Sequence, residues 1–360
     1  YKFNKENILT QLPEKFIDEA IEAISSWDNY APTPLIKLNK LNDELKLKNI
    51  YYKDEDKRFE LKSFKALGGA FAVYKIASEK KNITVSTATA GNHGRSVAWG
   101  AQRLGLKCKI FISEFVSESR AEAMRNLDAE VIRVKGNYDN SLKECIEQSN
   151  KNNWEIVQDV SWEGYKEVPK LIMAGYTIMV KEIIDEINKN SITHVFLQAG
   201  VGGMAAAMIA GFAKLSENIP QFIIIEPENA DCVFQSIKNN KPTTVDIKKE
   251  TVMGGMSCGD VSSIAWEILK NSANYCLTIP DEAISTAVAL LAEKRLSNGK
   301  IIGGECAVPG VIALIGSFNN KEYLDKLKLN SESNVLLFGC EGLTDDAMYQ
   351  KLLNDGLQKI

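Results

Sequence analysis

The stretch His194-Val-Phe-Leu-Gln-Ala-Gly-Val-Gly-Gly-Met-Ala-Ala-Ala-Met-Ile-Ala-Gly-Phe-Ala-Lys-Leu215 holds the pattern that decides the fold. An apolar run of strand length (194–198) passes through a glycine loop into an apolar helical segment (204–215). The same alternation recurs upstream. Residues 83–89 read as a strand and 94–104 as a helix; 108–113 as a strand and 118–127 as a helix. Further on, 130–134 is a strand, 141–148 a helix, 154–157 a strand and 171–187 one long helix. Residues 222–225 and 335–338 are the clearest late strands. Such β-α-β alternation predicts an α/β protein with largely parallel sheets, right-handed crossovers and helices on both faces.

At 360 residues the chain suits two packed α/β domains or one large one. There is no repeat and no Pro/Gly/Ser linker, so two domains would be interleaved rather than strung in line. A 45% hydrophobic and 25% charged composition is that of a globular protein. The net charge of −4 gives no basic face for nucleic acid. No run approaches the roughly 20 apolar residues of a membrane span. The opening residues, 1–16, are charged and unlike a secretory leader, so the cytoplasm is the expected location. Seven scattered cysteines without a CxxC form neither a disulfide scaffold nor a zinc pattern. With only two histidines, His93 and His194, a multi-histidine metal site is excluded by count, and no metal is expected.

Three segments carry chemistry. In Ser63-Phe-Lys-Ala-Leu-Gly-Gly-Ala70, Lys65 opens a helix among apolar neighbours (Phe64, Leu67, Phe71) and a glycine pair. A lysine on a helix is normally solvated. One desolvated among such neighbours offers a more available neutral amine, which Schiff-base chemistry requires. In Thr87-Ala-Thr-Ala-Gly-Asn-His-Gly94 a strand turns into a helix through small residues, whose amides suit a carboxylate or phosphate. The plain alternative for that segment is a tight turn with a structural histidine. In Gln198-Ala-Gly-Val-Gly-Gly-Met204 the spacing Gly200-x-Gly202-x-x-Ala205 mimics a dinucleotide fingerprint, with Glu226 placed as a ribose-binding acid would be. The same loop suits a single phosphate monoester equally well. An NAD(P)-binding oxidoreductase would leave Lys65 and the Asn92 loop unexplained.

Taken together, the three loops resemble those of the fold-type II pyridoxal 5'-phosphate (PLP) enzymes, the group of threonine and serine dehydratases and tryptophan synthase β. The resemblance is closer to the diaminopropionate ammonia-lyases. It runs from about Tyr52 to Asp345 through Lys53-Asp-Glu…Arg58-Phe, Phe64-Lys65-x-Leu-Gly-Gly69, Gly91-Asn-His-Gly94, Val157-Gln-Asp-x-x-Trp-Glu-Gly-Tyr165, Gln198-Ala-Gly-Val-Gly202, Glu226-Pro, Ala230-Asp-Cys232 and Glu341-Gly-x-Thr-Asp345. The Gln-Asp-x-x-Trp-Glu-Gly-Tyr run is the most specific, since general dehydratases lack it.

The resemblance implies two interleaved three-layer domains. Residues 1–66 with 186–360 would form a large phosphate-binding domain, and 67–185 a small domain carrying the Asn92 loop. Lys65 is implied as the Schiff-base lysine and Asp159 as the acid near the substrate; as a mechanism, Asp159 would hold the leaving ammonium in place or, with a pKa raised by burial, pass it a proton. Asn92 would meet the cofactor's ring hydroxyl, and Gly200, Val201, Gly202, Gly203 and Met204 would hold its phosphate. Glu305 would line the ring and Cys340 face its nitrogen. Thr89, Ala90, Gly91, His93 and Tyr165 are the implied substrate-binding residues. Cys232 and Cys258 match a pair that forms a disulfide in some relatives, a bond not expected in a reducing cytoplasm. A homodimer is expected on resemblance alone.

Three departures bear on specificity. Ala90 stands where the family has an aspartate associated with taking the α-proton of a D-substrate. Lys62 replaces an asparagine. Cys340 replaces Thr or Ser, although some serine dehydratases also use Cys there. The implied reaction is α,β-elimination of 2,3-diaminopropionate to pyruvate and ammonia, L-isomer preferring. A serine/threonine-type dehydratase, or a lyase of another β-substituted amino acid, is the alternative.

Overall fold

The computed structural model describes residues 3–187 and 191–360. Tyr1 and Lys2 of the charged opening stretch, and residues 188–190 of the expected large domain, lie outside the described residues.

Ten strands are present among the described residues. They are β1 (Leu35–Lys37), β2 (Asn49–Asp54), β3 (Thr84–Ala88), β4 (Lys107–Ser113), β5 (Glu130–Val134), β6 (Glu155–Ile156), β7 (His194–Gln198), β8 (Gln221–Pro227), β9 (Tyr275–Ile279) and β10 (Asn334–Gly339). They form a six-stranded sheet, β1-β2-β10-β7-β8-β9, and a four-stranded sheet, β5-β4-β3-β6. β1 is antiparallel to β2, and every other pairing is parallel. The expected α/β class with helices on both faces of the sheets is what is found.

The chain divides into two compact units. The larger comprises Tyr1–Pro13, Pro32–Lys62 and Met179–Ile360, and the smaller Glu14–Ala31 and Ser63–Ile178. The division is more interleaved than 1–66 with 186–360 against 67–185. The helix Glu14–Ser25 buries Ile17, Ala20 and Ile24, and its Glu19 pairs with Lys75 at 2.9 Å, so it clusters with the smaller unit. Lys65 belongs to that unit as well.

The larger unit has an apolar centre. β7, β8 and β10 are buried almost throughout, and the helix Gly203–Leu215 has ten buried residues in succession, as a helix covering a parallel sheet must. β2 differs, because Lys53 and Asp54 are buried within it. Lys53 is tolerated since its Nζ meets Glu182 at 2.6 Å and the Thr33 carbonyl at 2.6 Å.

In the smaller unit, the helices Lys65–Glu79 and Glu167–Tyr176 touch backbone to backbone. A Cβ on Gly68 would lie 2.5 Å from the Ile172 carbonyl oxygen, and one on Gly175 would lie 2.7 Å from that of Leu67. The glycine pair of the lysine segment therefore serves helix packing. The long helix expected over 171–187 is two helices, Glu167–Tyr176 and Ile178–Glu186. At Thr177 the amide and the hydroxyl both turn back to the Ala174 carbonyl, at 3.0 and 2.6 Å, and end the first helix where the chain passes from one unit to the other.

Candidate active site

The expected site residues fall into two sets, one at the carboxyl ends of the strands in each unit.

In the smaller unit, Lys65 opens its helix with Nζ 5.4 Å from the centre of the Phe64 ring and 5.9 Å from that of Tyr176. It is ion-paired with Asp159, on the loop after β6. The neighbouring Gln158 fixes that loop. Its Oε1 accepts from Thr87 Oγ1 (2.9 Å) and the Ala88 amide (3.0 Å), while its Nε2 donates to the Ala88 carbonyl (2.9 Å) and Tyr138 (2.7 Å). A buried amide with all these bonds made holds Asp159 in one place at the end of β3.

His93 lies beside this pair. Its Nε2 is 2.7 Å from the Val157 carbonyl, which can only accept, so the proton of the neutral ring sits on Nε2. Nδ1 is then a bare acceptor. It is buried, has no hydrogen-bond partner and lies 3.8 Å from Asp159 Oδ2. Burial lowers the His93 pKa and keeps the ring neutral. Burial pushes Asp159 up, but the charges of His93 and Lys65 pull it further down, well below the usual carboxylate range. With His93 neutral, Lys65 supplies the countercharge. The raised pKa that would let Asp159 pass on a proton is not found: the charges facing the group outweigh desolvation and favour the ionised form, which can hold an ammonium in place.

The 89–94 turn is built from within. Thr89 Oγ1 accepts from the amides of Gly91 (3.0 Å) and Gly94 (3.2 Å). Thr89 and His93 are buried, while Ala90 is exposed and Gly91 and Asn92 half-buried at the start of the helix Asn92–Arg103. Arg120 Nη1 donates to the Ala90 carbonyl at 3.3 Å, bringing a cation to the turn. Tyr165 anchors the loop that carries Asp159. Its hydroxyl accepts from the Gln158 amide (2.9 Å) and donates to the Ile156 carbonyl (2.8 Å), and its ring stacks on Trp162 at 4.2 Å. The hydroxyl is committed to the backbone that carries Asp159, so Tyr165 shapes the site instead of offering a free hydroxyl.

In the larger unit, Gly200–Gly203 join β7 to the helix Gly203–Leu215, with Gly202 at φ +88°. No side chain caps that helix, whose first amides are therefore available to an anion. A Cβ on Gly200 would lie 3.0 Å from Cys258 Sγ and from the Gly255 carbonyl oxygen, so the loop is close-fitted. Gln198 Nε2 donates to the carbonyls of Cys306 (2.9 Å) and Phe338 (2.7 Å). Cys340 Sγ donates to the Cys306 carbonyl at 3.1 Å, and Glu341 Oε1 accepts from the Cys306 amide at 2.9 Å. Glu305, buried, is held in this same turn. The ligating atoms of Glu305, Cys306 and Glu341 lie within 4.8 Å of one another. The glycine loop, Glu305 and Cys340 thus gather around the ends of β7 and β10, where open α/β sheets place ligands.

Glu226 is not available to a ribose. It is buried, and its two oxygens accept from the amides of Val233 (2.8 Å) and Phe234 (2.7 Å) at the start of the helix Cys232–Asn239. Burial raises its pKa to about 8 against the pull of those amides. The dinucleotide spacing therefore lacks its acid. Cys232 and Cys258 form no disulfide, and Cys232 Sγ lies 3.6 Å from the Gly200 carbonyl.

The features in hand are, in the smaller unit, an amine held against a carboxylate beside two aromatic rings and, in the larger, an uncapped glycine turn on a parallel sheet. The first suits a carbonyl group that a lysine can bind covalently, and the second a phosphate. Comparison with known proteins agrees. Residues 27–337 match the family described as pyridoxal-phosphate dependent enzyme, and the chain belongs to that family. Diaminopropionate ammonia-lyase of Escherichia coli (strain K12) is 34% identical over 351 residues, spanning 91% of this chain and 88% of that protein. The enzyme of the same name from Salmonella typhimurium (strain LT2) is 34% identical over 360 residues, spanning 91% and 89%. The crystal structure of the E. coli enzyme in complex with an aminoacrylate-PLP azomethine reaction intermediate matches with a TM-score of 0.89 and 32% identity, over 96% of this chain and 93% of that one. Within the PLP-dependent enzymes the chain therefore belongs with the diaminopropionate ammonia-lyases.

Sequence reasoning missed Gln158 as an anchor and Tyr176 altogether. Gln158 stood inside the most specific motif. Tyr176 had only the glycine pair as a signal, since Gly68 is what admits its ring.

Proposed function

We propose that this protein eliminates the β-amino group of 2,3-diaminopropionate, which with one water yields pyruvate and two molecules of ammonia. The observation that carries the reading is the Lys65–Asp159 ion pair beside a buried, neutral His93. The larger unit would be the phosphate-binding half, and the smaller would bring the lysine and the Asn92 loop.

The amides of Gly200, Val201, Gly202, Gly203 and Met204 would hold the cofactor's phosphate. Asn92 would meet its ring hydroxyl, Glu305 would lie along the ring and Cys340 at its nitrogen. Once bound, PLP supplies a sink for the electrons released at the substrate's α-carbon. Lys65 is the base for the α-proton, since in its neutral form the amine beside the Phe64 and Tyr176 rings has a lone pair that can take it. Asp159, ionised, receives the substrate's β-ammonium and keeps that poor leaving group protonated as it departs. The bare Nδ1 of His93 offers the same ammonium a second acceptor. The turn of Thr89, Ala90 and Gly91, with Arg120 behind it, would bind the α-carboxylate. Ala90 brings no acid to the opposite face, so Lys65 is the base and the L-isomer is preferred. We further expect a homodimer in the cytoplasm; no helix among the described residues is long and apolar enough to cross a membrane.

Ala90 and Cys340 favour a second reading, a dehydratase of serine or threonine. The test is keto-acid release by PLP-loaded protein given L- and D-diaminopropionate, L-serine and L-threonine in parallel. Turnover of L-diaminopropionate at least about tenfold faster than the other three is expected. Faster turnover of serine or threonine would move the protein to the dehydratases, and equal turnover of the D-isomer would remove the stereochemical claim.

A further inference from the structure

The chain leading to Asp159 leaves its sheet without leaving its hydrogen bonds unmade. β6 is an edge strand of the four-stranded sheet, and it pairs with β3 through Glu155 and Ile156. Along a strand the backbone groups point alternately to one side and the other. The Val157 amide still faces β3, donating to the Ser86 carbonyl at 2.8 Å, so the Ile156 carbonyl and the Gln158 amide face the open edge. Side chains take over where the ladder stops. On the inner side the Gln158 side-chain amide pairs with both the amide and the carbonyl of Ala88, as a peptide group would. On the outer side the Tyr165 hydroxyl donates to the Ile156 carbonyl (2.8 Å) and accepts from the Gln158 amide (2.9 Å). Those are the two bonds that one residue of a further parallel strand would make.

The hydroxyl is itself held in place. Trp162 and Tyr165 close a tight turn by two backbone bonds of 3.2 and 3.1 Å, and their rings stack. Burial raises the Tyr165 pKa, so the phenol keeps at neutral pH the proton that it donates. Asp159 follows Gln158 directly and is ion-paired with Lys65. A carboxylate held by that partner alone would follow the amine whenever it moved. One held by its backbone keeps its place while Lys65 is engaged elsewhere. Only a carboxylate fixed in this way can distinguish a β-ammonium from a β-substituent that carries no proton to hold.

We infer that Tyr165 is a positioning residue that sets leaving-group specificity: its hydroxyl fixes the backbone of Gln158, and so holds Asp159 where a β-ammonium arrives. No bond is made or broken at the phenol. The inference rests on the reading of Asp159 as the partner of the leaving ammonium, and the test separates the two.

The experiment compares PLP-loaded wild type, Tyr165→Phe, Asp159→Asn and the double variant. The substrates are L-diaminopropionate and β-chloro-L-alanine, whose chloride departs without a proton. Tyr165→Phe keeps the ring on Trp162 and removes only the hydroxyl. Its kcat should fall about tenfold for L-diaminopropionate and no more than about twofold for β-chloro-L-alanine. In the Asp159→Asn background the same change should cost less than about twofold on L-diaminopropionate, since no charge is left to place. Hydrogen exchange at the Gln158 amide of the holoenzyme should quicken about tenfold. Trp162→Leu leaves the hydroxyl but removes the ring it rests on, and should show the same selectivity at about threefold, which keeps the test open should Tyr165→Phe fold poorly. Equal falls on both substrates, an unchanged kcat for L-diaminopropionate, or a full effect in the Asp159→Asn background would each overturn the inference. If Asp159→Asn alone slows both substrates alike, the reading of Asp159 fails and the inference falls with it.

Discussion

Each unit contains an ion-pair cluster built from the same kinds of side chain, and the two are put to opposite ends. In the larger unit Lys53, Glu55, Arg58 and Glu182 form a closed set of two cations and two carboxylates, with side chains no more than 1% exposed. The Arg58 guanidinium meets Glu55 at 2.8 and 3.0 Å, Glu182 at 2.8 and 2.7 Å and Thr33 at 3.0 Å. Burial alone would lower the Arg58 pKa, but Glu55 and Glu182 hold it above its ordinary value. In the smaller unit Lys65 and Asp159 are 25% and 14% exposed, and His93 Nδ1 has no hydrogen-bond partner. The closed cluster leaves nothing for a ligand to bind. The open one retains an acceptor and a partly exposed ion pair, which is the form a reacting centre needs.

The contrast is tested most severely by Lys65→Ala. Loss of at least about a thousandfold in keto-acid release is expected, with urea stability within about 1 kcal/mol of wild type. A large stability loss would mean that the open pair is structural after all. Glu182→Ala should do the reverse. Stripping one carboxylate from the closed cluster strands two buried cations and should cost about 3 kcal/mol in urea unfolding. A variant as stable as wild type would show that the network is solvated in solution.

Asp159→Asn sharpens the comparison, because it keeps the shape and removes the charge. We expect kcat to fall about fiftyfold with stability nearly unchanged, and a KM that rises only for substrates bearing a β-ammonium. Equal KM changes for L-serine would contradict a role at the leaving group. The smallest effect concerns acid. Asp159 and Glu182 have folded-state pKa values below ordinary. Their contribution is therefore complete above the unfolded value near pH 4, and it is lost as pH falls through the folded one. The urea midpoint should decline below about pH 4, and Asp159→Asn should soften that decline by less than about 1 kcal/mol, since both partners are partly solvated. An identical acid limb would mean that the pair is not formed in solution.

How far the chain was legible from sequence follows the same division. Strands with apolar runs were visible: residues 130–134 coincide with β5, and 83–89, 108–113 and 335–338 fall within two residues of β3, β4 and β10. β2 was not read as a strand. Its Lys53 and Asp54 break the apolar pattern, and the Lys53 partner Glu182 lies far along the chain. β1 is three residues long and β9 only half-buried, so neither carries a strong signal. The break at Thr177 was hidden because 171–187 is apolar on both sides of it. For the site, loops were legible because glycines and small residues at strand–helix junctions have few other uses. The protonation pattern was not: the depressed Asp159 depends on an amine 94 positions away, and the seat of the Tyr176 ring on a helix crossing admitted by Gly68.

The account stands on Lys65 being the amine that binds the cofactor. Borohydride reduction of the PLP-loaded protein fixes the cofactor to whichever amine holds it, and peptide mass spectrometry then locates it. The prediction is a single modified peptide carrying the cofactor on Lys65. Modification of another lysine, or none despite bound PLP, would contradict it.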